Sequence, residues 1–168
     1  MQENAFSCQM CGQCCTGEGG IVLSRSDRER LAAFLDLPLD IFEARYTLQG
    51  GGTFTLTTKE DGSCIFFTPG SGCGVHSVKP EICRAWPFFL GNLRDELSWR
   101  MAQDSCPGIN PRVSHEEFVR QGLAYLHARG LLQDSGQDGA SSLQIGDLLD
   151  CGTEEENCPR NTRTDTKE

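Results

Sequence analysis

The chain has 168 residues and a mass of 18.5 kDa, enough for one domain with its own apolar core, and ten of its residues are cysteine. Lys plus Arg number 15 against 24 Asp plus Glu, giving a net charge of −9 and a pI near 4.8. No basic footprint exists to displace counterions from phosphates, so no nucleic-acid partner is expected.

The opening segment, Met1 to Phe6, has neither a basic n-region nor an apolar h-region. Apolar runs such as Ile65-Phe66-Phe67 fall far short of the roughly 20 residues of a membrane span. The expectation is therefore a cytoplasmic protein with no membrane partner. In that compartment thiols stay reduced, and a dense cysteine pattern points to metal rather than to disulfides.

In chain order, the first predicted helix begins near Ser26, where Ser26 and Glu29 have capping-box spacing and Leu31, Phe34 and Leu35 follow at helical intervals up to Pro38. Leu39 to Tyr46 reads as a second short helix, and Gly50-Gly51-Gly52 as a loop. Thr53 to Thr57 alternates like a half-buried strand, and the Asp61-Gly62 turn signal predicts a hairpin with a second strand at Cys64 to Phe67. The loop Pro69 to Gly72 delivers Cys73. Pro87 to Leu90 and Leu97 to Met101 read as a further strand pair around Gly91-Asn92. The last helix starts at the Ser114/Glu117 capping box, presents Phe118, Val119, Leu123, Tyr125 and Leu126, and closes at Gly130. These elements predict a small, metal-stabilised α+β domain over 1–133 with cysteines in loops and at strand ends.

Composition shifts at about residue 133. Residues 134–168 hold nine acidic and three basic residues and few apolar ones, the pattern of an acidic, largely disordered tail. Cys151 and Cys158 fall in it and read as accessory thiols. An interaction module, in which this tail docks a basic protein partner, is one functional class the composition leaves open.

Eight cysteines remain in the body. Cys8, Cys11, Cys14 and Cys15 form Cys-x-x-Cys-Gly-x-Cys-Cys; Cys64 opens a predicted strand, Cys73 and Cys83 bracket a ten-residue step, and Cys106 precedes Pro107. A two-residue gap lets one tight turn aim two sulfurs at a common centre, and Gly12 permits the positive φ such turns use. Adjacent cysteines usually point apart, so Cys14 and Cys15 suggest two sites, or one multinuclear cluster plus a structural site. The Cys8-x2-Cys11-x2-Cys14 spacing, with a distant Cys-Pro, also matches bacterial ferredoxin-type ligation of a [4Fe–4S] cluster. Zinc accepts four thiolates equally, and spacing does not separate the metals.

His76 is a candidate nitrogen ligand or a surface histidine, and His115 reads as a capping-box neighbour. Trp86, Phe88 and Phe89 suit either an apolar shell or plain core packing. Arg84, beside Cys83, is the candidate for offsetting thiolate charge around a bound cofactor. No P-loop, His-Glu-x-x-His or nucleotide-binding glycine motif is present, and Asp61 and Glu81 carry no assignable catalytic role.

The set Cys8-x-x-Cys11-Gly-x-Cys14-Cys15, Asp61-Gly62-x-Cys64-x-Phe-Phe, Gly72-Cys73-x-Val-His, Lys79-Pro80-x-x-Cys83-Arg84-x-x-Pro87-Phe88 and Cys106-Pro107-Gly108 resembles the YkgJ-like cysteine-cluster family of zinc- or iron-chelating domains, over about residues 6–110. Lys79 stands where that pattern has arginine. The resemblance implies metal binding by Cys8, Cys11, Cys14, Cys15, Cys64, Cys73, Cys83 and Cys106. Because related domains occur in flagellin lysine methylases, it also leaves open a metal-dependent enzyme, or accessory protein, for protein side-chain modification. The leading expectation is an iron–sulfur or zinc protein with an electron-transfer, redox or metal-binding role.

Overall fold

The computed structural model describes residues 3–16 and 20–132; the acidic tail with Cys151 and Cys158 lies outside the described residues. The fold is α+β, as the sequence pattern implies. β1 (Val22–Leu23) leads into α1 (Arg25–Phe34) and α2 (Leu39–Tyr46), followed by β2 (Thr47–Gly50) and β3 (Thr53–Leu56). β4 (Phe67–Thr68) and β5 (Gly72–Cys73) make a separate two-stranded ribbon. The helices α3 (Glu81–Ala85), α4 (Leu90–Arg94), α5 (Glu96–Ser105) and α6 (His115–Ala128) complete the described chain.

α1 starts two residues earlier than the Ser26/Glu29 spacing suggests. Ser24 is the N-cap, and its side chain and that of Asp27 satisfy each other's backbone N–H groups. Asp27 prevails because its carboxylate also accepts the Glu81 N–H at 3.0 Å and pairs with Arg30, so it tethers two helix starts while almost fully buried. Phe34, expected on the apolar face, is exposed. α2 covers the predicted span.

The strand of residues 53–56 finds different partners from those expected. β3 lies between β1 and β2, antiparallel to both, and the turn joining β2 to β3 uses Gly51 and Gly52 at positive φ. Cys64 makes only an isolated bridge to Thr58, while Phe67 and Cys73 pair across the turn that begins at Pro69. The predicted Cys64–Phe67 strand is therefore replaced by a shorter ribbon further along.

Neither strand of the pair predicted at Pro87–Leu90 and Leu97–Met101 forms: Pro87 to Phe89 are irregular and lead into α4 at Leu90, and Leu97 to Met101 lie within α5. Asp95, which ends α4, caps α5 by accepting the Ser98 N–H at 2.7 Å, and Trp99 and Ala102, three residues apart, turn inward together. α6 matches its prediction: Ser114 accepts the Glu117 N–H, Phe118 and Leu126 are fully buried, and Gly130 leaves the helix at φ 60°. Gly122 lies against Phe88 and Leu93, where a Cβ would stand 2.6 Å from the Phe88 ring.

Two apolar cores result. The first joins Ala5, Ala85, Phe88, Leu93, Trp99, Phe118 and Leu126, closed by ring contacts of Phe88 with Phe6, Phe118 and Tyr125. The second joins Leu23, Leu31, Phe42, Leu56 and Val75 across α1, α2 and the three-stranded sheet. Cys64 and Cys73 pack against the second, whereas Cys106 is buried in the first.

Candidate metal centre

Four distant pieces of backbone build the cysteine site. The segment before Cys8 is stitched to the segment after Cys106: Ser7 N–H donates to the Gly108 carbonyl at 2.9 Å, and Asn110 N–H to that of Ala5 at 2.9 Å. Gly108 is required there, since a Cβ would meet the Ser7 carbonyl oxygen at 2.5 Å. Beyond Cys11, Gly12 adopts φ 83° against the Phe67 ring and launches a 3₁₀ turn over Gln13–Cys15. Cys64 N–H donates to the Cys15 carbonyl at 2.7 Å, drawing the third piece onto that turn.

The fourth piece carries Cys83 on α3. Arg30 donates to the carbonyls of Val78 and Lys79, each at 3.3 Å, and Asp27 holds the Glu81 N–H. Arg84 donates through Nε to the Lys79 carbonyl at 2.8 Å and through its terminal nitrogen to the Ser77 carbonyl at 3.1 Å.

These contacts bring all eight body cysteines onto one cavity of about 60 Å³, with walls that include Phe6, Ile21, Leu56, Phe66, Val75 and Trp86. Every one of the eight is a free thiol. Cys8, Cys11 and Cys14 stand at the exposed side and Cys106 at the buried one. Among the described residues, no three Cys, His, Asp or Glu side chains are gathered around one point as for a single ion. The cavity offers a soft donor set with an apolar surround, a chemistry that fits zinc or iron.

Cys14 and Cys15 do not point apart as adjacent cysteines usually do. The tight turn after Gly12 brings the Cys15 thiol close enough to Cys14 and Cys73 to share its proton with both. That shared proton lowers the pKa of Cys14 to about 6 and of Cys73 to about 6, with Lys79 assisting both, while Cys15 itself is pushed up. Burial raises Cys64, and it pushes Cys83 up to about 12, helped by the neighbouring sulfurs of Cys14, Cys64 and Cys73. Five sulfurs thus sense one another strongly.

His76 has its Nε2 3.8 Å from Cys8 Sγ at the cavity mouth, and burial lowers its pKa, with the charges of Lys79 and Arg84 adding to the effect. His115 belongs elsewhere: its Nε2 lies 2.8 Å from the Asn92 carbonyl and its ring packs on Trp99. The positive side chain lining the cavity is Lys79, and Arg84 pins the backbone that carries it. The position four residues before Cys83 was the signal that could have marked Lys79. Asp61 accepts hydrogen bonds from Ser63, a turn role that lowers its pKa.

Residues 7–107 match the family model CxxCxxCC, described as "Putative zinc- or iron-chelating domain". The chain belongs to this family. The CxxCxxCC match spans all eight body cysteines. Among curated proteins, "Uncharacterized protein MJ0661" of Methanocaldococcus jannaschii is 29% identical over 85 residues, covering 50% of this chain. The matched region spans 45% of that relative's own length. No solved structure matches. Among the described residues, no helix is long and apolar enough to cross a membrane.

Proposed function

We propose that this CxxCxxCC chain binds an iron–sulfur cluster through its body cysteines and serves in electron transfer or redox sensing. The observation that supports this reading is the convergence of eight free thiols, drawn from residues 8 to 106, on one apolar-walled cavity. Eight sulfurs exceed the four of a single zinc site, and sulfurs shared within one cavity suit a multinuclear centre. Cys8, Cys11 and Cys14 with Cys106 supply the ferredoxin-type spacing, while Cys15, Cys64, Cys73 and Cys83 remain for a second group or a larger cluster.

Bound iron and sulfide would supply one-electron chemistry at a potential set by charge, burial and hydrogen bonds around the sulfurs. The chain's own contribution is legible residue by residue. Phe6, Phe66 and Trp86 restrict water, Lys79 offsets thiolate charge, and Arg84 fixes the Lys79 backbone. Cys8, Cys11 and Cys14 lie toward solvent, on the side from which electrons would exchange.

Anaerobic purification with elemental analysis and a visible spectrum tests the assignment. The expected result is a brown protein with iron and acid-labile sulfide; a colourless protein with stoichiometric zinc overturns the redox role, because zinc is d10. Cys11→Ser and Cys14→Ser should each abolish metal loading and Cys151→Ser should not. Undiminished metal in the first two would remove these residues from the ligand set.

A further inference from the structure

Beside the cysteine cavity lies a second and larger cleft of about 420 Å³, a volume suited to a small molecule. Its walls are apolar: Ile21, Ile82, Trp86 and Phe89. Trp86 and Phe89 meet edge to face, with ring centroids 5.2 Å apart and planes at 77°, so the two rings form an aromatic corner in the cleft wall. Both are only half-buried in the absence of any occupant. Cys14 and Cys83 line this cleft and the cysteine cavity alike, so the two spaces share a sulfur-bearing wall.

The charge of the cleft is one-sided. Among the described residues the polar lining is Gln13, Thr16 and Ser105, all neutral, and Lys79 belongs to the other cavity. Thiolates around a divalent ion would leave a net negative centre, two charges for four thiolates, and residues 1–133, with twelve basic and fifteen acidic side chains, add no positive excess to offset it. An anion entering the cleft would face that field, which Lys79 offsets only in part from the far side of the Cys14 and Cys83 wall. A cation with an apolar body would gain both the field and the aromatic corner.

We propose that this cleft is a binding site for a small organic cation of the alkylammonium type, held against the corner formed by Trp86 and Phe89 with its charge toward the Cys14 and Cys83 wall. The charge part of the argument rests on the cysteines carrying metal; the aromatic part stands on the cleft alone. The site gives the centre a ligand-accessible side, opposite in character to the Cys8/His76 mouth.

The test uses the full-length, metal-replete chain and two soluble probes of the same shape, choline and its neutral carbon isostere 3,3-dimethylbutan-1-ol. Saturation-transfer NMR on the ligand methyl groups measures affinity. Choline is expected to bind about five-fold or more tightly than the isostere, within the range of a cation–π contribution. Phe89→Ala should weaken choline by a similar factor. Ser105→Lys, at an exposed position on the last turn of α5, should abolish choline binding without disturbing the core. Equal affinity for the two probes, or choline binding unaffected by Ser105→Lys, overturns the proposal. Elemental analysis of the same samples separates the two readings. Metal-loaded protein with no saturable choline signal defeats the cleft and leaves the centre standing. A choline preference in protein that takes up no metal supports the aromatic part of the cleft, overturns its charge part and defeats the centre.

Discussion

The two apolar cores that flank the cysteine cavity differ in what completes them. The helical core is built from α3 to α6 and the N-terminal segment, with Phe118 and Leu126 fully buried, aromatic rings from four elements in contact, and Cys106 as its one cysteine. The sheet core is smaller, and part of its outer packing is Cys64, Phe66 and Cys73, the same residues that wall the cavity. The first also reaches the cavity, through Phe6, Trp86 and Cys106, but its centre at Phe88, Trp99, Phe118 and Leu126 is held by burial of apolar surface away from the sulfurs. The second leans on loops whose positions depend on the sulfurs, so stability and metal occupancy are coupled more tightly on the sheet side.

The largest effect is expected inside the helical core. Phe118→Ala removes a fully buried ring that touches Phe88 and Trp99, and should cost about 3–5 kcal/mol in denaturant unfolding. Because Phe118 and its ring partners Phe88 and Trp99 do not line the cysteine cavity, the loss should be the same with and without chelator. A cost that appears only in the metal-loaded protein would erase the distinction between the two sides.

Metal removal probes the distinction from the other direction. On chelation, amide hydrogen exchange should accelerate over Cys8 to Thr16, Cys64 to His76 and Lys79 to Cys83, while α6 amides stay protected. Uniform acceleration, α6 included, would mean that the two cores open as one unit.

A smaller effect is expected at the tether between them. Asp27 accepts the backbone N–H groups of Ser24 and Glu81 and pairs with Arg30, all while nearly inaccessible. Asp27→Ala strands those donors and should cost about 1–3 kcal/mol. It should also reduce metal loading by freeing the segment that carries Lys79 and Cys83. Full metal content in a destabilised Asp27→Ala protein would show that α3 is held by the sulfurs instead.

Legibility in the sequence follows the range of the interactions. α2 and α6 were readable because the information is local: a periodic apolar face and, for α6, the Ser114 cap and Gly130 exit. α4 and α5 were not, because Pro87 and Gly91-Asn92 imitate turn chemistry, whereas the Asp95 cap and the Trp99/Ala102 spacing decide for helix. β2 was hidden because most of its residues are exposed and show no alternation. At the candidate site, cysteine spacing marked every sulfur that lines the cavity. Their convergence was not readable, since it is made by long-range contacts such as Ser7 to Gly108, Gly12 to Phe67 and Cys64 to Cys15. Arg84 drew notice through its position beside Cys83, but its donors face the backbone, and Lys79 occupies the cavity wall.

The smallest effect, and the one that sharpens the coupling most finely, is the pH dependence of the metal-free protein. Cys14 and Cys73 titrate at about 6 in the folded chain, below the usual thiol value near 9. Between these limits the unfolded chain holds protons on both groups that the folded chain has released, so stability rises with pH across that window and is lost as pH falls through 6. Cys83 runs the opposite way: with its folded pKa pushed up to about 12, it contributes stability below the unfolded thiol value that is lost as pH climbs toward 12. Denaturant midpoints measured under reducing conditions should therefore rise from pH 6, pass a maximum near pH 9 and decline. Cys15→Ala removes the thiol proton that lowers Cys14 and Cys73, and should flatten the rising limb; the decline, to which Cys15's own raised pKa contributes, should shrink but persist through Cys64 and Cys83. A rising limb that survives Cys15→Ala would move its origin away from the cysteine cavity.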